Sequence, residues 1–246
     1  MRSVNGADVT TVQRTGTSEI RIFQLTHAGA VLDGFTIRNG YGVSGAGVYM
    51  TAGTVANCDV RDNLVKNWAA MNGVGIYMAG GTVTNCTLRQ NSSSSFFNGF
   101  GGGVYMTGAS SLVENCTIVD NLCSNDGGGI YIAAGSVSNS IVYFNNAPSN
   151  PNYRSGGNGL ACSCTTPDPG GTSNITDNPM FVDSSINNYL LQVKPTLSPC
   201  IDKGMKVAWM TGAFDLAGDP RIQNKGVDMG AYESLVPVAG TVIAAH

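Results

Sequence analysis

The chain has 246 residues, 33 of them Gly, with a formal net charge of −3 and 12% charged residues, about half of the ~25% that is usual. It has no run of about 20 apolar residues, which predicts no membrane insertion, and its 13 Lys and Arg residues are too dispersed for nucleic-acid binding. With 42% hydrophobic residues the chain can bury a core, so the composition favours an all-β repeat protein over a disordered one.

The first 40 residues contain one loose copy of a repeat. The opening segment MRSVNGADVTTVQ indicates β structure and lacks the apolar stretch of a secretory signal, so we expect that an upstream part has been removed. The segment AVLDGFTIRNG at 30–40 is a looser copy of the units that follow, with Phe35 in the position of their cysteine.

Four closer copies of the repeat follow. They are GAGVYMTAGTVANCDVRDN (45–63), GVGIYMAGGTVTNCTLRQN (73–91), GGGVYMTGASSLVENCTIVDN (101–121) and GGGIYIAAGSVSNSIVYFN (127–145). Each copy has short β-branched runs separated by Gly or Asn, without the 3.6-residue period of a helix. Units of this kind are typical of a parallel β-helix, in which successive rungs lie ~4.8 Å apart.

Stacking of the rungs assigns the repeated positions to faces. Side chains alternate along a strand, so the apolar residues on either side of each repeat tyrosine are predicted to point inward. The first inward ladders are Val48, Ile76, Val104 and Ile130, and Met50, Met78, Met106 and Ile132. The second are Val60, Leu88, Ile118 and Val142, and Cys58, Cys86, Cys116 and Ser140. A bend is predicted at the asparagines whose amides hydrogen-bond from rung to rung, namely Asn57, Asn85, Asn115 and Asn139.

The repeat and the C-terminal segments resemble the right-handed parallel β-helix repeat proteins of bacterial cell surfaces. The C-terminal signature consists of CTTPDPGGTSNITDNPMFVD (164–183), LSPCIDKG (197–204) and DLAGDPRIQNKGVDMGAYE (215–233). The resemblance covers nearly the whole chain and implies that fold, a closing module and an extracellular or cell-surface location. It does not fix the chemistry, because the family includes adhesins and polysaccharide-cleaving enzymes.

The predicted fold is a right-handed parallel β-helix with an irregular C-terminal cap. Residues 1–147 are predicted to form the rungs and 148–233 the closing module, which covers the open end of the solenoid. The stretch APSNPNYRSGGNG at 147–159 marks a long loop or boundary, and 234–246 is a flexible tail or an edge strand.

The seven cysteines have different predicted roles. The stacked Cys58, Cys86 and Cys116 are interpreted as small buried hydrophobes, because nothing beside them completes a tetrahedral metal site. The resemblance implies a disulfide between Cys164 and Cys200 within the closing module. Cys162 is the competing partner and Cys123 is a loop residue that could stay free, and neither pairing can be assigned from the sequence.

An aromatic strip is the first candidate binding site. If the flanking residues point inward, the strip of tyrosines points outward, and it consists of Tyr49, Tyr77, Tyr105 and Tyr131. Exposed aromatic rings stack on sugars, so the strip is a candidate substrate-binding surface for a polysaccharide or cell-surface glycan. The alternative is that the rings only stack on each other or lie under a loop.

A second candidate site is an outward ladder of arginines. The ladder consists of Arg38, Arg61 and Arg89. Arg61 and Arg89, with the nearby Lys66, could bind uronic acids or remove a C5 proton in a β-elimination, for which Ca²⁺ usually neutralises the substrate carboxylate. Asp62 and Asp120 are two rungs apart, roughly 9.6 Å at the backbone, which suits an inverting glycosidase. The alternatives are Arg–Asp ion pairs on a solvated face and ordinary turn residues.

The closing module contains the densest cluster of charges. Its members are Asp202, Asp215, Asp219, Arg221, Asp228 and Glu233. Arg221 could pair with Asp215 or Asp228 and lock the cap, or a Ca²⁺ ion could bind near Asp215, Asp219 and Asp228. No cofactor is required by either interpretation.

Two functions remain open from the sequence. The favoured one is a non-catalytic extracellular or cell-surface adhesion module that binds polysaccharide, because no catalytic constellation stands apart from the repeat. The alternative is a polysaccharide lyase or glycoside hydrolase acting in the groove of the β-helix. Histidine-based nucleophilic catalysis is excluded, because the only histidines are His27 and the terminal His246.

Overall fold

The computed structural model describes residues 1–42, 44–65, 72–93, 99–156, 159–223 and 226–235. The chain coils into a parallel β-helix in which each rung contributes one short strand to each of three sheets. The described helical structure consists of two 3₁₀ turns, Ser184–Ile186 and Ala208–Met210. The predicted all-β solenoid is therefore confirmed.

The three sheets follow one another around each rung. Sheet 1 has the strands Phe23–Leu25, Val48–Met50, Ile76–Met78, Val104–Met106, Ile130–Ile132 and Tyr153–Ser155. Sheet 2 has Val31–Asp33, Thr54–Ala56, Thr82–Thr84, Leu112–Glu114, Ser136–Ser138 and Leu160–Ala161. Sheet 3 has Thr11–Gln13, Thr36–Arg38, Asp59–Arg61, Thr87–Arg89, Thr117–Val119, Ile141–Tyr143 and Cys164–Thr165. A short parallel pair, Leu64–Val65 with Ser92–Ser93, and an antiparallel hairpin, Phe181–Asp183 with Asn188–Leu191, complete the strands.

The core consists of ladders of identical or similar side chains. Strands pair in register, so that Val48 lies beside Ile76 and Ile76 beside Val104. All the predicted inward ladders are buried and form one continuous apolar cluster along the axis, joined by Phe35 in the cysteine position. The predicted faces of sheets 1 and 3 are therefore confirmed.

A row of buried asparagine amides fixes the register between rungs. The row, here called the asparagine ladder, consists of Asn63, Asn91, Asn121, Asn145 and Asn152. The Oδ1 of every member after Asn63 accepts from both the backbone N–H and the Nδ2 of the preceding member; at Asn91 these distances from Asn63 are 3.2 and 2.9 Å. Each of the first four Nδ2 groups also donates to a carbonyl of the preceding rung, as Asn91 does to Val60 at 2.9 Å. The ladder thereby provides hydrogen-bond partners for buried polar groups that are not paired within the sheets.

Only glycine fits beside the asparagine ladder, because the space there is too small for a Cβ atom. A Cβ atom on Gly103 would lie 2.6 Å from the carbonyl oxygen of Gly129 and 3.0 Å from Nδ2 of Asn121. A Cβ atom on Gly75 would lie 3.0 Å from Nδ2 of Asn91, and one on Gly129 would lie 2.6 Å from Nδ2 of Asn145. The repeated GG-G motif is thus needed to leave room for the buried asparagine side chains.

The second set of asparagines, predicted at a bend, lies between sheets 2 and 3. Asn57, Asn85, Asn115 and Asn139 all have left-handed φ angles of 48° to 55°, which asparagine tolerates. Rung-to-rung amide bonds join Asn85 to Asn57 at 2.6 Å and Asn139 to Asn115 at 3.4 Å. Asn115 donates instead to the carbonyl of Asp228 in the closing module. The predicted row of amide bonds is interrupted where that module docks.

The parallel pairing continues beyond residue 147. The stretch 147–159 contributes Tyr153–Ser155 to sheet 1, and further strands of the same rung join sheets 2 and 3. Asn152 accepts from Asn145 only seven residues earlier, so this rung keeps the asparagine ladder without repeating the Gly-rich motif. Because this stretch lacks the Gly-rich motif, its sequence resembles that of a loop.

The closing module covers both the end and one side of the solenoid. Cys164 and Ile175 form a parallel bridge, and the backbone N–H of Cys162 donates to the carbonyl of Thr172, so 172–177 lies over the last rung. The chain then returns along sheet 3 and the bend asparagines, where Asn139 bonds to both the N–H and the carbonyl of Met205.

We predict that Asn91→Ala lowers the free energy of unfolding by about 3 kcal/mol, because it leaves the buried amide donors of Asn63 without their acceptor. Chemical denaturation of the purified variant measures the change. The matched control is Asn146→Ala, at an exposed asparagine next to the ladder, which is expected to change stability by less than about 0.5 kcal/mol. Equal losses in the two variants would contradict a stabilising role for the ladder.

Candidate functional site

The predicted aromatic strip lies on the outer face of sheet 1. Neighbouring rings are 4.9, 5.5 and 5.2 Å apart between centroids, with interplanar angles of 4°, 30° and 34°. All four rings are half-buried. We call this row, Tyr49, Tyr77, Tyr105 and Tyr131, the tyrosine ladder.

Both ends of the tyrosine ladder carry further groups that sequence reasoning missed. The guanidinium carbon of Arg21 lies 4.6 Å from the centroid of the Tyr49 ring, covering its outer face. Phe100 contacts Tyr131 edge-on at 5.0 Å. In the next rung Arg154 occupies the position equivalent to Tyr131 and lies 3.7 Å from Asp126. The repeat motif in the sequence could not reveal these residues, because they lie outside it.

Stacking determines which atoms of the tyrosine ladder a ligand can meet. Because each inner ring covers its neighbour, a sugar cannot lie flat on Tyr77 or Tyr105. The ring edges and phenolic hydroxyls remain available, one per rung. Burial raises the pKa of Tyr105 further above its ordinary value, so its hydroxyl remains a hydrogen-bond donor at physiological pH.

The arginine ladder on sheet 3 is paired with acids. Arg89 binds Asp59 through two bonds of 3.1 and 2.9 Å, and Arg61 lies 3.0 Å from the same carboxylate. Arg61 also donates to Asp62 at 2.5 Å. Lys66 lies outside the described residues. The basic groups brought together here are engaged in an ion-pair network.

Asp62 and Asp120 occupy equivalent positions, with Gln90 between them. Gln90 donates from its amide to Asn187, and Asp120 accepts from the hydroxyl of Tyr189 at 2.8 Å. Side chains of the closing module therefore contact Gln90 and Asp120 on the face where an inverting glycosidase would place its water.

Two tyrosines of the closing module cover sheet 3. The pKa of Tyr189 is raised mainly by burial and, to a smaller extent, by its hydrogen bond to Asp120. Burial also raises the pKa of Tyr232, to about 12. The Tyr232 hydroxyl lies close to Thr87 and to the Arg89–Asp59 ion pair. No repeat positions these residues, so only the folded chain reveals that they lie against the arginine ladder.

The charged cluster of the closing module surrounds one buried arginine. Arg221 is fully buried; it donates to the carbonyls of Gly230 and Asp228 at 2.7 and 3.2 Å and lies 3.3 Å from the carboxylate of Glu233. It also reaches Asn85 of the solenoid at 3.4 Å. The arginine thus ties the module to the bend, although its carboxylate partner is Glu233 and not one of the two aspartates predicted.

Burial outweighs attraction to Arg221 for the acids of this cluster. Desolvation raises the pKa of Glu233 to about 8 and that of Asp228 to about 6, and it also raises the pKa of Asp215. Backbone N–H groups of Asp202 and Ser234 donate to the two oxygens of Asp228. These hydrogen bonds hold the acids in a structural network.

Ca²⁺ near Asp215, Asp219 and Asp228 stays a prediction. Within the described part of the chain, no group of three or more His, Cys, Asp or Glu residues is arranged to hold a metal ion. Asp215 accepts instead from the backbone N–H groups of Ala217, Asp219 and Glu233.

Cys164 and Cys200 are free thiols in the structure, so the disulfide that the resemblance implies stays a prediction. All seven cysteines are free and buried, including Cys123 and Cys162. The neighbouring Cys200 thiol and burial strongly raise the pKa of Cys164, whose thiol donates to the carbonyl of Asp177 at 3.2 Å. The ladder cysteines Cys58, Cys86 and Cys116 lie in the apolar core, as predicted.

Comparison with protein families matches one family model, the right-handed β-helix region, over residues 19–189. Neither curated proteins nor solved structures give a match. Among the described residues, no helix has the length and apolar character to cross a membrane.

We predict that stability falls as the pH rises from about 5 to about 9. In the unfolded chain Glu233 ionises near its ordinary pKa of 4.5, but in the folded chain near 8, so the folded state holds the proton more tightly between these values. Its contribution is present at low pH and is lost as pH rises through 8. The melting temperature should fall by roughly 2–4 °C for each kcal/mol lost.

Differential scanning calorimetry from pH 5 to 9 tests this dependence. Glu233→Gln should flatten the decline between pH 6 and 9, whereas Asp168→Asn, at an exposed carboxylate of the same module, should leave it unchanged. An unaltered decline in the Glu233 variant would show that another group causes it.

Proposed function

The chain belongs to the right-handed β-helix family, and on this scaffold we propose that it is a non-catalytic extracellular or cell-surface module that binds polysaccharide along the tyrosine ladder. The partner is an extended polysaccharide or a cell-surface glycan. The location is supported by the resemblance of the repeat and of the C-terminal signature to proteins of bacterial surfaces.

The observation that carries the proposal is the regular row of four half-buried tyrosines. Their centroids are separated by 4.9 to 5.5 Å, close to the length of one sugar unit in an extended chain. A polysaccharide lying along the solenoid axis would therefore meet one hydroxyl and one ring edge per sugar. Hydrogen bonds and apolar contacts repeated in this way add together along a polymer.

Rigidity of the tyrosine ladder supports binding. The rings stand on strands whose neighbouring residues are fully buried, and mutual stacking restricts their rotation. A surface that is ordered before binding loses less conformational entropy when the ligand arrives. The ladder thus suits a repeating ligand better than a mobile loop would.

The alternative, a polysaccharide lyase or glycoside hydrolase on sheet 3, has weaker support. Its basic residues Arg61 and Arg89 are engaged with Asp59, and Asp120 is bonded to Tyr189. A catalytic base or acid needs access to the reacting atoms, and these partners occupy that space.

We predict that removing two hydroxyls from the tyrosine ladder weakens polysaccharide binding by roughly tenfold, because each contributes one hydrogen bond. The variant is Tyr77→Phe with Tyr105→Phe, which keeps the stacked rings. Affinity electrophoresis in gels containing neutral and uronate polysaccharides measures retention. Tyr143→Phe, on sheet 3, is the matched control and should bind like the parent chain. Unchanged retention of the double variant would contradict the proposed surface.

We further predict no turnover of the retained polysaccharides, with or without Ca²⁺. Ultraviolet absorbance detects the unsaturated products of a lyase, and a reducing-end assay detects those of a hydrolase. Turnover that Arg89→Ala or Asp120→Ala abolishes would favour the enzymatic alternative.

A further inference from the structure

A groove separate from the tyrosine ladder lies where the closing module crosses the edge of sheet 2. Its volume is about 390 Å³, within the range of small-molecule sites, roughly 300–1,000 Å³. The 3₁₀ turn with Trp209 and the strap with Phe214 form one wall, and Asp33, Asn57 and Thr84 belong to the other. We call it the Trp209 groove.

The aromatic wall is exposed although its backbone is fixed. Trp209 is 38% and Phe214 is 60% exposed. The indole N–H of Trp209 donates to Glu114, which also accepts from Ser138, and the carbonyl of Phe214 accepts from Asn85 at 3.0 Å. Two large apolar rings held rigidly at one groove are typical of a binding site.

The opposite wall presents polar groups with spare hydrogen-bonding capacity. Asp33 accepts from Asn57 at 2.7 Å and from Nε of Arg2 at 2.6 Å. Within the described chain, Arg2 donates to protein through that one nitrogen, which leaves its two terminal nitrogens for a ligand. The hydroxyl of Thr84 has no hydrogen-bond partner among the described residues although the atom is buried.

The charges of the Trp209 groove disfavour an anionic ligand. The positive charge of Arg2 is balanced by Asp33 in an ion pair. Asp215 adds a buried carboxylate to the lining, and its oxygens accept backbone N–H groups. A ligand that is uncharged avoids repulsion by these acids.

From these features we infer that the Trp209 groove binds a neutral sugar ring. A pyranose has an apolar C–H face that packs against an aromatic ring and hydroxyls that bond to carboxylate, amide and guanidinium groups. The site is independent of the tyrosine ladder, because it lies on sheet 2 and the closing module and shares no residue with it.

Tryptophan fluorescence tests the site in the full chain. The chain has two tryptophans, and Trp68→Phe leaves Trp209 as the reporter. The titrants are glucose, galactose, mannose and N-acetylglucosamine, their short oligomers, and glucuronic acid. At least one neutral sugar should shift the emission in a saturable way, with an apparent Kd at least tenfold lower than that for glucuronic acid.

Two variants locate the binding. Phe214→Ala and Thr84→Val, each in the Trp68→Phe background, should weaken the response about tenfold. Phe144→Ala removes another exposed ring that lies outside the groove, and it should leave the fluorescence response unchanged. Near-ultraviolet circular dichroism verifies that the variants keep the fold.

The outcomes are distinguishable from those for the tyrosine ladder. A saturable response that survives in the double Tyr77→Phe, Tyr105→Phe variant supports an independent site even if polysaccharide retention fails. No response to any neutral sugar, a stronger response to glucuronic acid, or full binding by both groove variants would overturn the inference.

Discussion

The asparagine ladder is the interaction on which the rest of the structure depends. Its buried amides bond to backbone and side chains of the adjacent rungs, so a slip of one residue would leave several polar groups unsatisfied in the core. Register fixed in this way places the same residue type at the same height in each rung. The apolar core ladders and the outward tyrosine ladder follow from that one constraint, and the rung spacing becomes the spacing of any ligand bound along the outer face.

The closing module depends on the solenoid in a different way. It docks on the bend asparagines, whose left-handed conformation turns amide groups toward Met205, Phe214 and Asp228. Arg221 and Glu233 are buried and form an ion pair, and Arg221 also reaches Asn85 of the solenoid, so buried polar bonds hold the module. A buried charge that loses its partner costs several kcal/mol of folding free energy. The stability of this region therefore depends on the protonation of its acids. The module also builds the aromatic wall of the Trp209 groove and covers the arginine ladder.

The repeat in the sequence was sufficient to predict the fold, because residues in register share one environment and the pattern reports that environment four times. It predicted the inward faces through Val48 and Met50 and the outward direction of Tyr77. The asparagine ladder of Asn63 and Asn91 could not be predicted, since a buried amide and an exposed turn residue look alike in a repeat. Trp209, Tyr189 and Tyr232 could not be placed, because their partners Glu114, Asp120 and Thr87 are far away in the chain and no period connects them.

A crystal structure of the protein with a bound oligosaccharide of at least four sugar units, derived from a retained polysaccharide, tests most directly whether the rung spacing sets the register of the ligand. If it does, the sugar chain should lie parallel to the solenoid axis on the outer face of sheet 1, with one sugar unit beside each tyrosine from Tyr49 to Tyr131. A chain bound on sheet 3 beside Arg61 and Arg89, or one crossing the rungs without regular contacts, would contradict this central claim.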